Sequence, residues 1–188
     1  MKYYRRAVRA LPESGQPYNQ MAVVASYQDS HLDAIYYYSR ALLAVNPFAT
    51  AATNLKLILD KVVSLMKNKI TTEGNADTTF KHVSLKGCLL RFLYIHALLS
   101  VSSLETTQEQ IAIFLNDFDV CISNNHVEEA LMVKLLIICL FSIHYKRPNE
   151  MQEISLRSPS ESLALTLLFS MINRYRYTSH IAADMLPG

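Results

Sequence analysis

The sequence predicts an all-α fold, and three features carry the prediction. Glycine occurs only four times and proline six times in 188 residues, too few for the many tight turns of a sheet-rich domain. Apolar residues make up 51% of the chain and recur at helical spacing in segment after segment. A tyrosine-rich stretch also repeats once, at an interval of 34 residues.

That repeat is the strongest local signal. Tyr3-Tyr4-Arg5-Arg6-Ala7 recurs as Tyr37-Tyr38-Ser39-Arg40-Ala41, and Ala10 recurs as Ala44. Each run then closes on a proline, Pro12 and Pro47, with one extra residue in the second copy. Small residues let two helices approach, and proline ends a helix because it has no N–H to donate. This period, with alanines and a closing proline, is the signature of tetratricopeptide helix pairs.

The second unit reads as complete. Gly15-Gln16-Pro17 turns the chain, and Pro17 suits a first helical position. Tyr18, Met21, Ala22 and Ala25 form one helical stripe. Ser30 and Asp33 have capping-box spacing and predict the start of the next helix. Its apolar face is Ala34, Ile35, Tyr38, Ala41, Leu42 and Val45. Residues 2–11 read as the second helix of a first unit whose partner precedes Met1. A repeat helix cannot bury its apolar face alone, so the chain is expected to be a fragment.

A third helix is predicted from about Thr50 to Lys67, with Leu55, Leu59, Val62 and Met66 on one side. The polar, aperiodic residues 68–79 read as a flexible linker loop. Four more helices are expected beyond it. Residues 83–102 carry Leu85, Leu89, Phe92 and Leu99, and residues 107–122 carry Ile111, Phe114, Leu115, Phe118 and Ile122. Residues 126–145 are apolar nearly all round and are expected at the centre of the core. The last helix opens on Ser158-Pro159-Ser160-Glu161, with Ser158 as cap and Glu161 completing the box. Three parts follow: a tetratricopeptide-like part at 1–67, the linker at 68–79, and a helical-hairpin region at 80–188.

Composition excludes several classes. With 18% charged residues and half the chain apolar, intrinsic disorder is excluded. Cys88, Cys121 and Cys139 lie far apart without C-x-x-C spacing, and read as buried free thiols in a reducing compartment. Met1 is followed by Lys2-Tyr3-Tyr4-Arg5-Arg6, which is no signal peptide. The longest apolar run, Leu135 to Ile143, is about half of the 18 residues a membrane span needs. A soluble, intracellular protein is expected.

Catalytic chemistry finds no foothold. His31, His82, His96, His126, His144 and His180 show no i, i+4 pairing, so no metal or other cofactor is expected. Asp117 and Asp119 lie two apart on a helix and point in different directions, which rules out an acid/base pair. There is no glycine-rich phosphate loop and no G-x-S-x-G. Charge is uneven instead: residues 1–67 hold eight Lys/Arg against four acids, and residues 68–188 hold ten against twelve. A positive first half favours a phosphorylated or nucleic-acid partner, although a solvated basic face would give the same count.

The string Gly15-Gln16-Pro17-Tyr18-Asn19-Gln20-Met21-Ala22, then Leu32 to Leu42 and Asn46-Pro47-Phe48, resembles the ever-shorter-telomeres/Smg family. That family comprises nonsense-mediated mRNA decay and telomerase-associated factors. The run Leu32 to Tyr38 and the following Ala44-Val45-Asn46-Pro47 are most similar to the member that carries a nuclease domain elsewhere in its chain. The likeness is specific over residues 3–60. Beyond, only a pattern of helices resembles the family, at Phe92-Leu93-Tyr94-Ile95-His96 and Leu136 to His144.

The resemblance implies a 14-3-3-like, tetratricopeptide-containing domain followed by α-helical hairpins, located in nucleus and cytoplasm. It implies binding to phosphorylated Ser/Thr segments of the decay pathway's RNA helicase, together with other decay factors. Some relatives act with telomerase RNA or single-stranded telomeric DNA, which makes nucleic-acid binding the alternative function; a purely structural scaffold is a third. Phosphoserine carries about −1.5 to −2 charges and needs converging cations, preferably arginines. The resemblance puts one such cation at Arg5 and another upstream of Met1, so half a phosphate pocket is expected here. Arg5, Asn19 and Arg9 are the candidate phosphopeptide ligands. Tyr36, Tyr37 and Arg40 are candidate groove residues, against the plainer reading that arginines at the Arg6 and Arg40 repeat position cover apolar surface or pair with an acid.

Overall fold

Boundaries set by Pro17, Pro47 and Pro159 divide the chain much as the sequence pattern requires. The computed structural model describes residues 1–74, 83–99, 104–144 and 159–184. They form α1 (Lys2–Ala10), α2 (Gln16–Tyr27), α3 (His31–Leu43), α4 (Thr50–Gly74), α5 (Leu85–Leu99), α6 (Leu104–Ser123), α7 (Glu129–His144) and α8 (Pro159–Asp184). Among the described residues there is no strand, so the fold is all-α.

The two tyrosine segments fall on α1 and α3, and their C-terminal ends are tied together in parallel. Asn46 N–H donates to Glu13 O and Gly15 N–H donates to Asn46 O, each at 2.9 Å. This junction requires glycine at position 15. A Cβ there would lie 2.3 Å from Ala41 O and 2.8 Å from Phe48 N, well inside contact distance. The φ of Gly15 is −74°, so close approach rather than backbone freedom demands the glycine.

Tyr18, Met21, Ala22 and Ala25 of α2 and Ala34, Ile35, Tyr38, Ala41 and Leu42 of α3 are all buried. The fully buried alanines permit the close crossing. From there α3 packs on α4 and on α7, and one apolar cluster runs on through α8. Its centre holds Phe92, Phe114 and Phe118, whose rings stack in series at 5.5 and 5.2 Å. Lys134 of α7 donates to Asp33 of α3 at 2.6 Å, a link across 101 residues. Asp29 and Asn125 close α2 and α6 at φ 53° and 55°, each followed by an N–H that reaches back five residues.

Four expectations need correction. First, α4 continues to Gly74, so residues 68–74 of the expected linker are helical; residues 75–79 lie outside the described residues. Polar composition signalled a loop, but Lys69 lies against Gly87 of α5, and the Thr71 hydroxyl bonds back to Lys67 O at 3.0 Å. Tertiary contact overrides the local signal. Second, α3 ends at Leu43 with Ala44 extended, which leaves Val45 exposed rather than in the core. Third, Ser30 makes no bond to the helix backbone; its hydroxyl donates to Asp33 Oδ2 at 2.9 Å. Asp is shorter than the Glu of a true box, and its other oxygen is held by Lys134. Fourth, α7 is only partly enclosed. It packs against α3, α5 and α8 through Leu135, Ile138 and Cys139, while Val133 and Leu140 stand 51% and 40% exposed. The expected cap Ser158 lies outside the described residues, although α8 does open on Pro159.

Candidate functional site

On α1, five of the nine residues alternate with the cations so as to separate two faces. Lys2, Arg5, Arg6 and Arg9 fall within an arc of about 100° at 3.6 residues per turn. All four are exposed, and none has a side-chain partner among the described residues. The helix contains no acid. Tyr4, Ala7 and Val8 on the other side are half-buried, with Tyr4 and Val8 packed on the core beside α2. Arg5 and Arg9, the sequence candidates, are therefore one turn apart on an open basic face. Arg6 and Lys2 belong to the same face, which sequence reasoning left aside although the 3.6-residue period already displayed it.

Arg40, the repeat equivalent of Arg6, behaves differently. Its guanidinium donates from Nη2 to the Tyr18 hydroxyl at 2.5 Å and from Nη1 to the Tyr36 hydroxyl at 3.2 Å. It also lies over the Tyr18 ring at 4.6 Å and near the Tyr36 ring at 6.0 Å, a cation–π arrangement. No carboxylate pairs with it among the described residues. Tyr36 is thus a polar partner of Arg40, and the Tyr37 ring leans on it at 5.0 Å. Tyr18 was legible only as a core tyrosine; its hydroxyl's role depends on a contact 22 residues away. The third phosphopeptide candidate, Asn19, is only 4% exposed, and its Oδ1 has no hydrogen-bond partner among the described residues.

The titratable groups of the larger core are structural. Cys139 Sγ lies 3.7 Å from His96 Nε2, His96 Nδ1 lies 2.6 Å from Ser142 Oγ, and that hydroxyl donates to Ile138 O. A neutral imidazole completes this chain, accepting at Nε2 and donating at Nδ1. Burial accordingly pushes His96 down to about 3. Burial raises the thiols of Cys88, Cys121 and Cys139, which disfavours the thiolate a nucleophile needs. Asp117 lies 3.5 Å from buried Arg91 Nε, and Arg91 Nη1 donates to Gln110 Oε1 at 2.5 Å. Asp119 pairs with Arg174 at 2.9 Å instead. The two carboxylates point apart, as their spacing requires. Among the described residues no group of three His, Cys, Asp or Glu is placed to hold a metal, and no helix is long and apolar enough to cross a membrane.

The chain belongs to the Est1 DNA/RNA binding domain family, whose model matches residues 1–184. The family's description is that of a binding domain. The chain is 30% identical over 168 residues to the nonsense-mediated mRNA decay factor SMG7 of Danio rerio, covering 88% of this chain and 14% of that protein. It is 25% identical to the nonsense-mediated mRNA decay factor SMG5 of Mus musculus, covering 90% of this chain and 19% of that protein. A shorter stretch of 59 residues is 42% identical to the telomerase-binding protein EST1A of Danio rerio, covering 31% of this chain and 4% of that protein. The chain thus spans less than a fifth of the length of these relatives.

Proposed function

We propose that this chain is a non-catalytic interaction module of a nonsense-mediated mRNA decay factor, and that α1 binds phosphorylated Ser/Thr segments of the pathway's RNA helicase. One observation carries the reading: four exposed cations on a single face of α1, unpaired among the described residues. A phosphoryl group offers three strong acceptor oxygens, and arginine forks bind such oxygens bidentately. Arg9, one turn from Arg5, supplies a second cation on the same helix face. The names of the SMG7 and SMG5 relatives support the pathway. A decay factor of this kind works in nucleus and cytoplasm.

A second reading is favoured by the family's description and by the length of the basic stripe. Telomerase RNA or single-stranded telomeric DNA would lay backbone phosphates along the same four cations, with affinity falling steeply as salt rises. Titration with a doubly phosphorylated peptide, its unphosphorylated twin and a single-stranded oligonucleotide, at two salt concentrations, separates the two. The phosphopeptide is expected to bind and its twin to fail, with a loss of about tenfold or more in an Arg5→Gln/Arg9→Gln variant. Equal affinity for both peptides alongside tight oligonucleotide binding reverses the order.

A further inference from the structure

Arg40 presents a chemical imbalance that the packing of α2 against α3 does not resolve. Among the described residues its charge faces no carboxylate, only the two phenol oxygens of Tyr18 and Tyr36, to which it donates. A phenol that accepts from a guanidinium still carries its own proton. Neither proton has an acceptor among the described residues. The outer N–H groups of the guanidinium add further donors in a fixed plane. The cluster therefore gathers one positive charge and more donors than the described residues satisfy. Both rings hold the guanidinium in place from α2 and α3, so the donors are pre-positioned rather than swinging on a long stem.

We propose that Tyr18, Tyr36 and Arg40 form a binding site for an oxyanion, a phosphoryl or carboxylate group of a partner protein segment. Two oxygens of the anion receive the two phenol protons, and the guanidinium supplies the countercharge. Tyr18 is 7% exposed, whereas Arg40 and Tyr36 are half-buried, so the anion approaches from the Arg40–Tyr36 side. The site is separate from the basic face of α1 and stands whether or not α1 binds phosphopeptide.

The test follows tyrosine-ring and backbone NMR signals of the 188-residue chain during titration with inorganic phosphate and, separately, acetate. Sodium chloride at matched ionic strength is the reference. Saturable shifts at Tyr18, Tyr36 and Arg40 beyond those of chloride are expected. Saturation at lower phosphate than acetate assigns a phosphoryl ligand, and the reverse assigns a carboxylate. A Tyr18→Phe/Tyr36→Phe variant keeps both rings and removes only the donors, so its affinity should fall about tenfold, the scale of a hydrogen bond to a charged group. An Arg5→Gln/Arg9→Gln variant should leave these shifts intact while weakening phosphopeptide binding at α1 by about tenfold or more. Shifts no larger than those of chloride, unchanged affinity in the double phenylalanine variant, or loss of the shifts with the α1 variant each overturn the proposal.

Discussion

Replacing Gly15 with alanine tests the geometry on which the α1–α3 region depends. At an ordinary position with φ near −74°, Gly→Ala stabilises a protein by about 0.4–1 kcal/mol, because the unfolded chain loses freedom. Here the added methyl would meet Ala41 O at 2.3 Å and Phe48 N at 2.8 Å. Both atoms are backbone and cannot rotate away. Relief requires α2 and the end of α3 to part, which weakens the Gly15–Asn46 bond and the Phe48–Ala41 bond. Two backbone hydrogen bonds at about 1 kcal/mol each, plus overpacking of about 1–3 kcal/mol, outweigh the entropic gain. The net loss expected is about 3 kcal/mol. Urea unfolding followed by circular dichroism measures it through the midpoint at constant slope. A variant as stable as the parent, or more so, would refute the close crossing of α2 and α3.

Arg91→Ala should cost about 3 kcal/mol, because it strands Asp117 beside the core and deprives Gln110 of its donor, whereas Arg91→Met with Asp117→Leu should recover most of that in the same unfolding assay. His96 is neutral in the folded state down to about pH 3, while a free imidazole titrates near 6.5. Its contribution is therefore complete above about pH 6.5 and declines by about 1.4 kcal/mol per pH unit as pH falls toward 3. Unfolding midpoints of the parent and of His96→Gln should converge on acidification; parallel pH profiles would exclude a buried neutral histidine. The three cysteines should resist a thiol reagent in the native state and react together on unfolding, since all are buried with raised thiols; fast labelling of any one would contradict its placement.

Where apolar period and punctuation agreed, the sequence disclosed the structure well. Tyr18, Met21, Ala22 and Ala25 could be set against Ala34, Ile35 and Tyr38 because helices repeat every 3.6 residues and Pro17 marks a start. The same period placed Tyr38 inside and left Tyr36 and Tyr37 half-buried. What was hidden depended on partners distant in sequence. Nothing local indicated that α4 would continue to Gly74 with Lys69 against α5, or that Lys134 would take the Asp33 carboxylate from its capping role. The apolar run in α7 overstated its burial, because hydrophobicity reports how much a helix can bury, not how many neighbours reach it. For the candidate site, the cations of α1 were readable as a list, whereas the phenol partners of Arg40 lie on another helix or depend on its rotamer.

The tie between the ends of α1 and α3 has a thermodynamic consequence. Between Lys2 and Ala10, α1 contains no fully buried residue. Its helicity is thus borrowed from the Glu13–Asn46 and Gly15–Asn46 bonds and from Tyr4 and Val8. Frayed, α1 scatters its four positive charges; wound, it aligns them. Any polyanion that requires them aligned must bind with an apparent affinity scaled by the wound fraction, and in binding must slow amide exchange along Lys2–Ala10.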